Sequence, residues 1–230
     1  IKGSVFAVAT TVSYIIWILE DSVWNAWLPW MYEKISIGES HDICNSWSVL
    51  MHGFGVISWA LVLFAPEIIL LLGGHKYADA VYLVAPMVTG TLFRFYSYSY
   101  TAIQNYHKKT ASVAASTVSV MFLNVILNYL GILWFGYQAA AYTTAFSYMA
   151  LMVIQAFMEK RLTGEQLIPL SKTLLISCGY FAVCVVTMVT YRLPACVRYL
   201  LAMIAFPIGA WYFLPRVKPI LKMMKKKKKL

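Results

Sequence analysis

Charge is what this sequence lacks. Only 12% of its 230 residues are Asp, Glu, Lys or Arg, about half the share in ordinary soluble domains. A soluble fold of this length would need a polar coat, and there are too few charges to make one. Cysteine is scarce as well: Cys44, Cys178, Cys184 and Cys196 show no CxxC pair and no metal-ligand spacing, so neither a disulfide framework nor a metal site is implied. No HExxH, GxSxG or Walker sequence occurs, and no paired-carboxylate pattern. An enzyme reading therefore has no motif behind it, and no cofactor is expected. Ten-residue units of alternating apolar and polar residues are missing too, which excludes an outer-membrane barrel. The first residues carry no signal-peptide pattern.

What the chain does have is long hydrophobic runs. Hydrophobic residues make up 61% of it, and several segments reach the roughly 20 apolar residues that cross a bilayer. The fold class expected is all-α: a polytopic transmembrane helix bundle of about seven spans. They fall at about 4–27 (continuing as helix to Ile35, with a kink at Pro29), 44–64, 78–105, 111–133, 137–158, 171–190 and 196–214. Pro66 to Leu72 is apolar but too short to span, and reads as an interfacial turn closed by Gly73-Gly74.

The net charge of +10 would suggest nucleic acid in a soluble protein. Here five lysines form one run, Lys225 to Lys229, and most of the other basic residues sit in short loops. That pattern points to anionic lipid headgroups, with no nucleic-acid partner. Lys34, Lys108, Lys109, Lys160, Arg161, Lys172 and the tail from Arg216 share one side of the membrane. The positive-inside bias puts that side, and the C-terminus, in the cytoplasm. Residue 1 then lies outside. An odd number of spans starting outside, in a chain that opens on Ile1, suggests a fragment lacking at least one preceding span.

Charges within spans are costly and usually mark function. Glu20, Asp21 and Arg94 stand out. Glu20 and Arg94 each lie about 16 residues into spans of the same direction, roughly 24 Å of rise, so they should share a depth. One reading makes Arg94 a cationic anchor for an anionic substrate, with Glu20 or Asp21 as counter-charge or ion-coupling group. The other is a structural ion pair, or side chains snorkelling to headgroups. Gly90, Arg94, Ser97, Thr101, Gln104 and Asn105 fall on one helical face. So do Thr117, Asn124, Asn128 and Gly131 in the fourth span, and Thr144, Tyr148 and Gln155 in the fifth. Any one stripe is most simply interhelical hydrogen bonding; three together with a charge argue for a hydrated cavity. The substrate-binding candidates are Arg94, Ser97, Tyr98, Thr101, Asn124 and Asn128. Tyr96, Tyr98 and Tyr100 offer platforms for sugar rings, while Trp17, Trp24, Trp27 and Trp30 read as packing or belt residues. The last two spans, with scattered Thr, Ser and Cys, look lipid-facing.

Several motifs resemble those of Wzx-type oligosaccharide flippases, of the multidrug/oligosaccharidyl-lipid/polysaccharide (MOP, MATE-like) exporter superfamily. They are Ala65-Pro66-Glu67-Ile68, Tyr77-Ala78-Asp79-Ala80 and Pro86, Asn105 through Lys109, Asn124 to Tyr129, Phe135 to Thr144, and Asn25 to Trp30. The resemblance covers residues 1 to about 162. It implies the C-terminal lobe of a transporter of two six-helix lobes, with the N-terminal lobe absent. Residues 1–162 would form five spans of that lobe, 163–214 two peripheral helices and 215–230 a basic cytoplasmic tail. The activity implied is translocation of undecaprenyl-diphosphate-linked repeat units across a bacterial inner membrane for surface polysaccharide, O-antigen (lipopolysaccharide) or capsule. The partners implied are the lipid-linked oligosaccharide, membrane lipids, and a polysaccharide polymerase and glycosyltransferases. The alternatives are a multidrug or metabolite efflux antiporter of the same superfamily, whose cationic substrates favour acidic cavities, and a membrane polysaccharide polymerase or ligase, which usually carries a large periplasmic loop absent here.

Overall fold

The computed structural model describes residues 2–164, 166–200, 202, 203 and 207, and every regular element among them is helical. Seven α-helices lie wholly within the described residues, in order: α1 (Lys2–Ser36), α2 (Ser40–Leu63), α3 (Ala65–Gly73), α4 (Val81–Tyr106), α5 (Thr110–Phe135), α6 (Ala139–Thr163) and α7 (Leu170–Val189). A 3-10 turn, His75–Ala80, leads into α4, and another, Thr190–Arg192, follows α7. Among the described residues five helices are long and apolar enough to cross a membrane: Gly3–Ser36, Ser40–Leu63, Thr110–Phe135, Ala139–Thr163 and Leu170–Arg192. The chain is a membrane protein built as a helical bundle.

Two of the seven expected spans stand apart from these five. The one expected over 196–214, like the basic tail after it, lies largely outside the described residues. The other is α4, whose 26 residues would reach about 39 Å. Its composition is too polar for the apolar set, and its position supplies the reason. α4 is the central helix, packed most extensively on α6 and then on α1, α7 and α2. Val84, Val88, Phe95, Tyr96 and Tyr100 are wholly buried along it. Its polar groups therefore face protein, where they find partners, and the hydropathy that lipid contact demands is not required.

α5 is the opposite case. Only Ser116, Val120 and Gly131 are buried on it, while Phe122, Val125, Tyr129, Leu133, Trp134 and Phe135 are exposed. In a bilayer that apolar surface is the one lipid covers. The helix is held almost entirely by α6, its hairpin partner. The turn between them starts at Gly136, whose φ of +80° would strain any residue with a side chain.

The other joints are local. α1 remains one helix through Pro29, and Lys34 near its end pairs with Glu39 and Asp42 to fix the turn into α2. α3, the short apolar piece, is a nine-residue helix starting at Ala65-Pro66. Gly90 of α4 faces Ala145 of α6 so closely that a β-carbon there would lie 3.3 Å from the Ala145 Cα. The expectation that α7 faces lipid needs correction. Leu175, Val186 and Val189 are exposed, but Thr173, Ile176, Ser177, Cys184 and Thr187 are buried against α2 and α4. Small polar residues at helical spacing allow that close packing. The hydroxyl of Thr173 accepts from Tyr100 at 2.8 Å, and that of Thr187 from the Trp59 indole at 3.0 Å.

Candidate functional site

Arg94 projects from the middle of α4 toward α1. Its Nη2 lies 3.7 Å from Glu20 Oε2 and 3.9 Å from Asp21 Oδ1. The guanidinium stacks over the Trp17 ring at 4.6 Å and beside the Tyr98 ring at 5.4 Å. Tyr98 donates its hydroxyl to Asp21 Oδ1 at 3.4 Å. Glu20 and Arg94, read from the sequence as sharing a depth, are thus brought together, with Asp21 alongside.

The contact is loose. A charge-assisted hydrogen bond between guanidinium and carboxylate runs at about 2.7–2.9 Å, and neither carboxylate comes that near. Glu20 is fully buried, with both of its oxygens lacking a hydrogen-bond partner, and Arg94 Nη2 lacks one too. Asp21 keeps 43% of its side chain exposed. The pair is close enough for attraction and too far for the hydrogen bonds that would saturate it. Such a cation retains donors for another acceptor.

Arg94 also lines a cavity of about 330 Å³. Its walls come from α1 (Phe6, Thr10, Ser13, Tyr14, Trp17), α4 (Met87, Thr91, Arg94) and α6 (Ala141, Thr144, Tyr148). Thr144 and Tyr148 belong to the polar stripe anticipated in the fifth span. Thr10, Ser13 and Thr91 were not anticipated. Thr10 and Ser13 are legible as a stripe, since Phe6, Thr10, Ser13 and Trp17 recur at i, i+4, i+7 and i+11 and lead to Glu20, and Thr91 lies three residues before Arg94 on α4.

The remaining candidates lie beside the cavity, outside its lining. Ser97 is buried and donates to the Arg94 carbonyl of its own helix at 2.6 Å, and Thr101 is half-buried one turn further on. Asn124 and Asn128 of α5 turn toward α6. Asn124 Nδ2 reaches Ser147 Oγ at 3.1 Å and Thr144 Oγ1 at 3.4 Å, Asn128 Nδ2 donates to Asn124 Oδ1 at 2.9 Å, and Thr143 donates to Asn128. This is a ladder between helices, joined to the cavity wall only through Thr144. The cavity is therefore walled by α1, α4 and α6, where three polar stripes had suggested α4, α5 and α6.

No protein-family model, curated protein or solved structure matches the chain. Its site must be read from its own geometry.

Two of the tyrosines considered as sugar platforms are wholly buried. Tyr96 donates to the Met51 carbonyl at 2.7 Å and Tyr100 to Thr173. Trp24, Trp27, Trp47 and Phe95 form a continuous aromatic stack, with the Trp27 indole donating to Ser46 at 2.9 Å. Trp17 instead faces the guanidinium. A second and larger cleft, about 740 Å³, opens between α5, α6 and α7 and is lined by Leu127, Leu130, Trp134, Tyr142, Phe146 and Phe181 among others. It contains no charged residue. Its lining is largely apolar, in contrast to the charged and hydroxyl-bearing walls of the smaller cavity beside Arg94. Among the described residues no group of His, Cys, Asp or Glu is arranged to hold a metal ion.

Proposed function

We propose that the chain is part of a flippase, forming the C-terminal lobe of a MOP-type transporter. It moves undecaprenyl-diphosphate-linked oligosaccharide from the cytoplasmic to the periplasmic leaflet of a bacterial inner membrane. The observation that carries this reading is Arg94, a cation in the interior of a hydrophobic bundle, at the edge of a cavity and incompletely satisfied by its two carboxylates. A diphosphate is the acceptor for which a guanidinium fork is suited. The loop charges, with the basic tail placed in the cytoplasm, and the motifs shared with Wzx-type flippases support the same reading.

The mechanism follows from the exchange of partners. An incoming diphosphate takes Arg94 donors away from Glu20 and Asp21. Glu20 is fully buried, and a buried carboxylate without a cation is costly. Substrate arrival would therefore be linked to uptake of another positive charge at Glu20 or Asp21, a proton or sodium ion. The lipid tail stays among apolar surfaces, of which the α5–α7 cleft is one. A multidrug antiporter with cationic substrates would be repelled by the same Arg94.

The test is Arg94→Glu in the intact protein. Surface polysaccharide is expected to be lost at normal protein level, with Arg94→Lys retaining part of it. Unchanged polysaccharide in the Arg94→Glu strain would remove Arg94 from the pathway.

A further inference from the structure

A second buried carboxylate lies away from Arg94. Glu159 sits in the last two turns of α6, and its side chain is fully buried. Its Oε1 accepts the Leu167 peptide N–H at 3.2 Å, while Oε2 has no hydrogen-bond partner. Among the described residues no Lys or Arg forms an ion pair with it. One turn earlier on the same face, Gln155 Oε1 accepts from Gln104 Nε2 of α4 at 2.6 Å. Gln104 Oε1 is then left unpartnered and buried as well. The layer between α4 and α6 thus holds two acceptor oxygens without donors.

The neighbouring titratable groups do not resolve this. Tyr100 of α4 has its hydroxyl committed to Thr173 of α7, and Cys44 of α2 lies near Tyr100. Lys160 and Arg161 on α6, Lys172 on α7, and Lys108 and Lys109 before α5 are all exposed. A charged Glu159 would be a buried anion with one peptide hydrogen bond and no cation, which interiors do not tolerate.

We propose that Glu159 is a proton-binding site, and that its occupancy sets how tightly Leu167, just ahead of α7, is held to α6. A bound proton removes the charge and turns Oε2 from an acceptor without a donor into a hydroxyl. Loss of the proton leaves a carboxylate that pulls harder on the Leu167 N–H, since hydrogen bonds to a charged acceptor are the stronger ones. The chain between them turns back at Gly164, with φ at +78°, and the hydrogen bond carries the pull directly to Leu167, just ahead of α7. The inference does not depend on what the protein transports.

The experiment is an NMR pH titration of the full chain in lipid nanodiscs, with ¹³C-labelled Glu side chains. The Leu167 amide is read in a separate sample carrying ¹³C-carbonyl Gln and ¹⁵N Leu. Gln166-Leu167 is the only Gln-Leu pair in the sequence, so its amide is assigned without a variant. The expected result is one carboxyl signal that is absent in Glu159→Gln, present in Glu20→Gln, and titrates with a midpoint independent of sodium. The Leu167 amide should move with the same midpoint. A Leu167 resonance that stays flat across the titration would overturn the proposal even if Glu159→Gln failed to fold. A midpoint that follows the sodium concentration would also overturn it, in favour of a metal-cation site.

Discussion

Two polar groups that the sequence brings to notice are built to different standards in this bundle. Between α5 and α6, Asn124, Asn128, Thr143 and Ser147 hand hydrogen bonds from one to the next. Between α1 and α4, Glu20 and Arg94 face each other with hydrogen-bonding capacity unspent and a cavity alongside. The first arrangement is adhesive: its groups serve one another and ask for nothing more. The second is incomplete by construction, and incompleteness at depth is what a group that must change partners requires.

Substitution should separate the two. The largest stability effect is expected from Arg94→Ala, which leaves Glu20 buried without its cation. Breaking a buried pair from one side costs about 3–5 kcal/mol. Arg94 retains some exposure and Asp21 much more, so about 3 kcal/mol, near the bottom of that range, is expected in thermal or denaturant unfolding in detergent. The double change Arg94→Ala with Glu20→Gln should recover most of it. If the double variant is no better than Arg94→Ala, the two groups are not coupled. Asn124→Ala should cost less, about 1 kcal/mol, in line with interhelical hydrogen bonds measured in membranes, and should leave transport in the intact protein unchanged. A transport defect at normal abundance would move Asn124 out of the adhesive group. Tyr98→Phe should be the mildest. It removes only the 3.4 Å bond to the half-exposed Asp21 and should fall within about 0.5 kcal/mol of the parent; a larger loss would mean that the tyrosine hydroxyl holds Asp21 in place.

Much of the helical framework was legible. Six of the seven span positions correspond to α1, α2, α4, α5, α6 and α7 within a few residues at most ends, because long apolar runs between Gly and charged loops leave little choice. The meeting of Glu20 with Arg94 was legible too, from equal depth in two spans of the same direction. What the sequence could not show was which stripe faces which. Asn124 and Arg94 look alike as isolated polar residues in apolar runs, and only packing reveals that one meets a hydroxyl and the other a cavity. The polar face of α7 was missed because Thr, Ser and Cys barely lower the hydropathy of a span. Glu159 was missed for the opposite reason. It adjoins Lys160 and Arg161 in the sequence and passes for one more charge of a loop, although the helix carries it inward while its neighbours stay exposed.

The near-touch of Gly90 and Ala145 bears on the shape of the cavity beside Arg94. Where two backbones come that close, sliding or rolling one helix past the other brings them into collision, so the register of α4 against α6 is tightly set. That register fixes the spacing between Arg94 and the Thr144–Tyr148 wall. The third wall is α1, which brings both acidic residues to Arg94 and is itself packed on α4, α2 and α3.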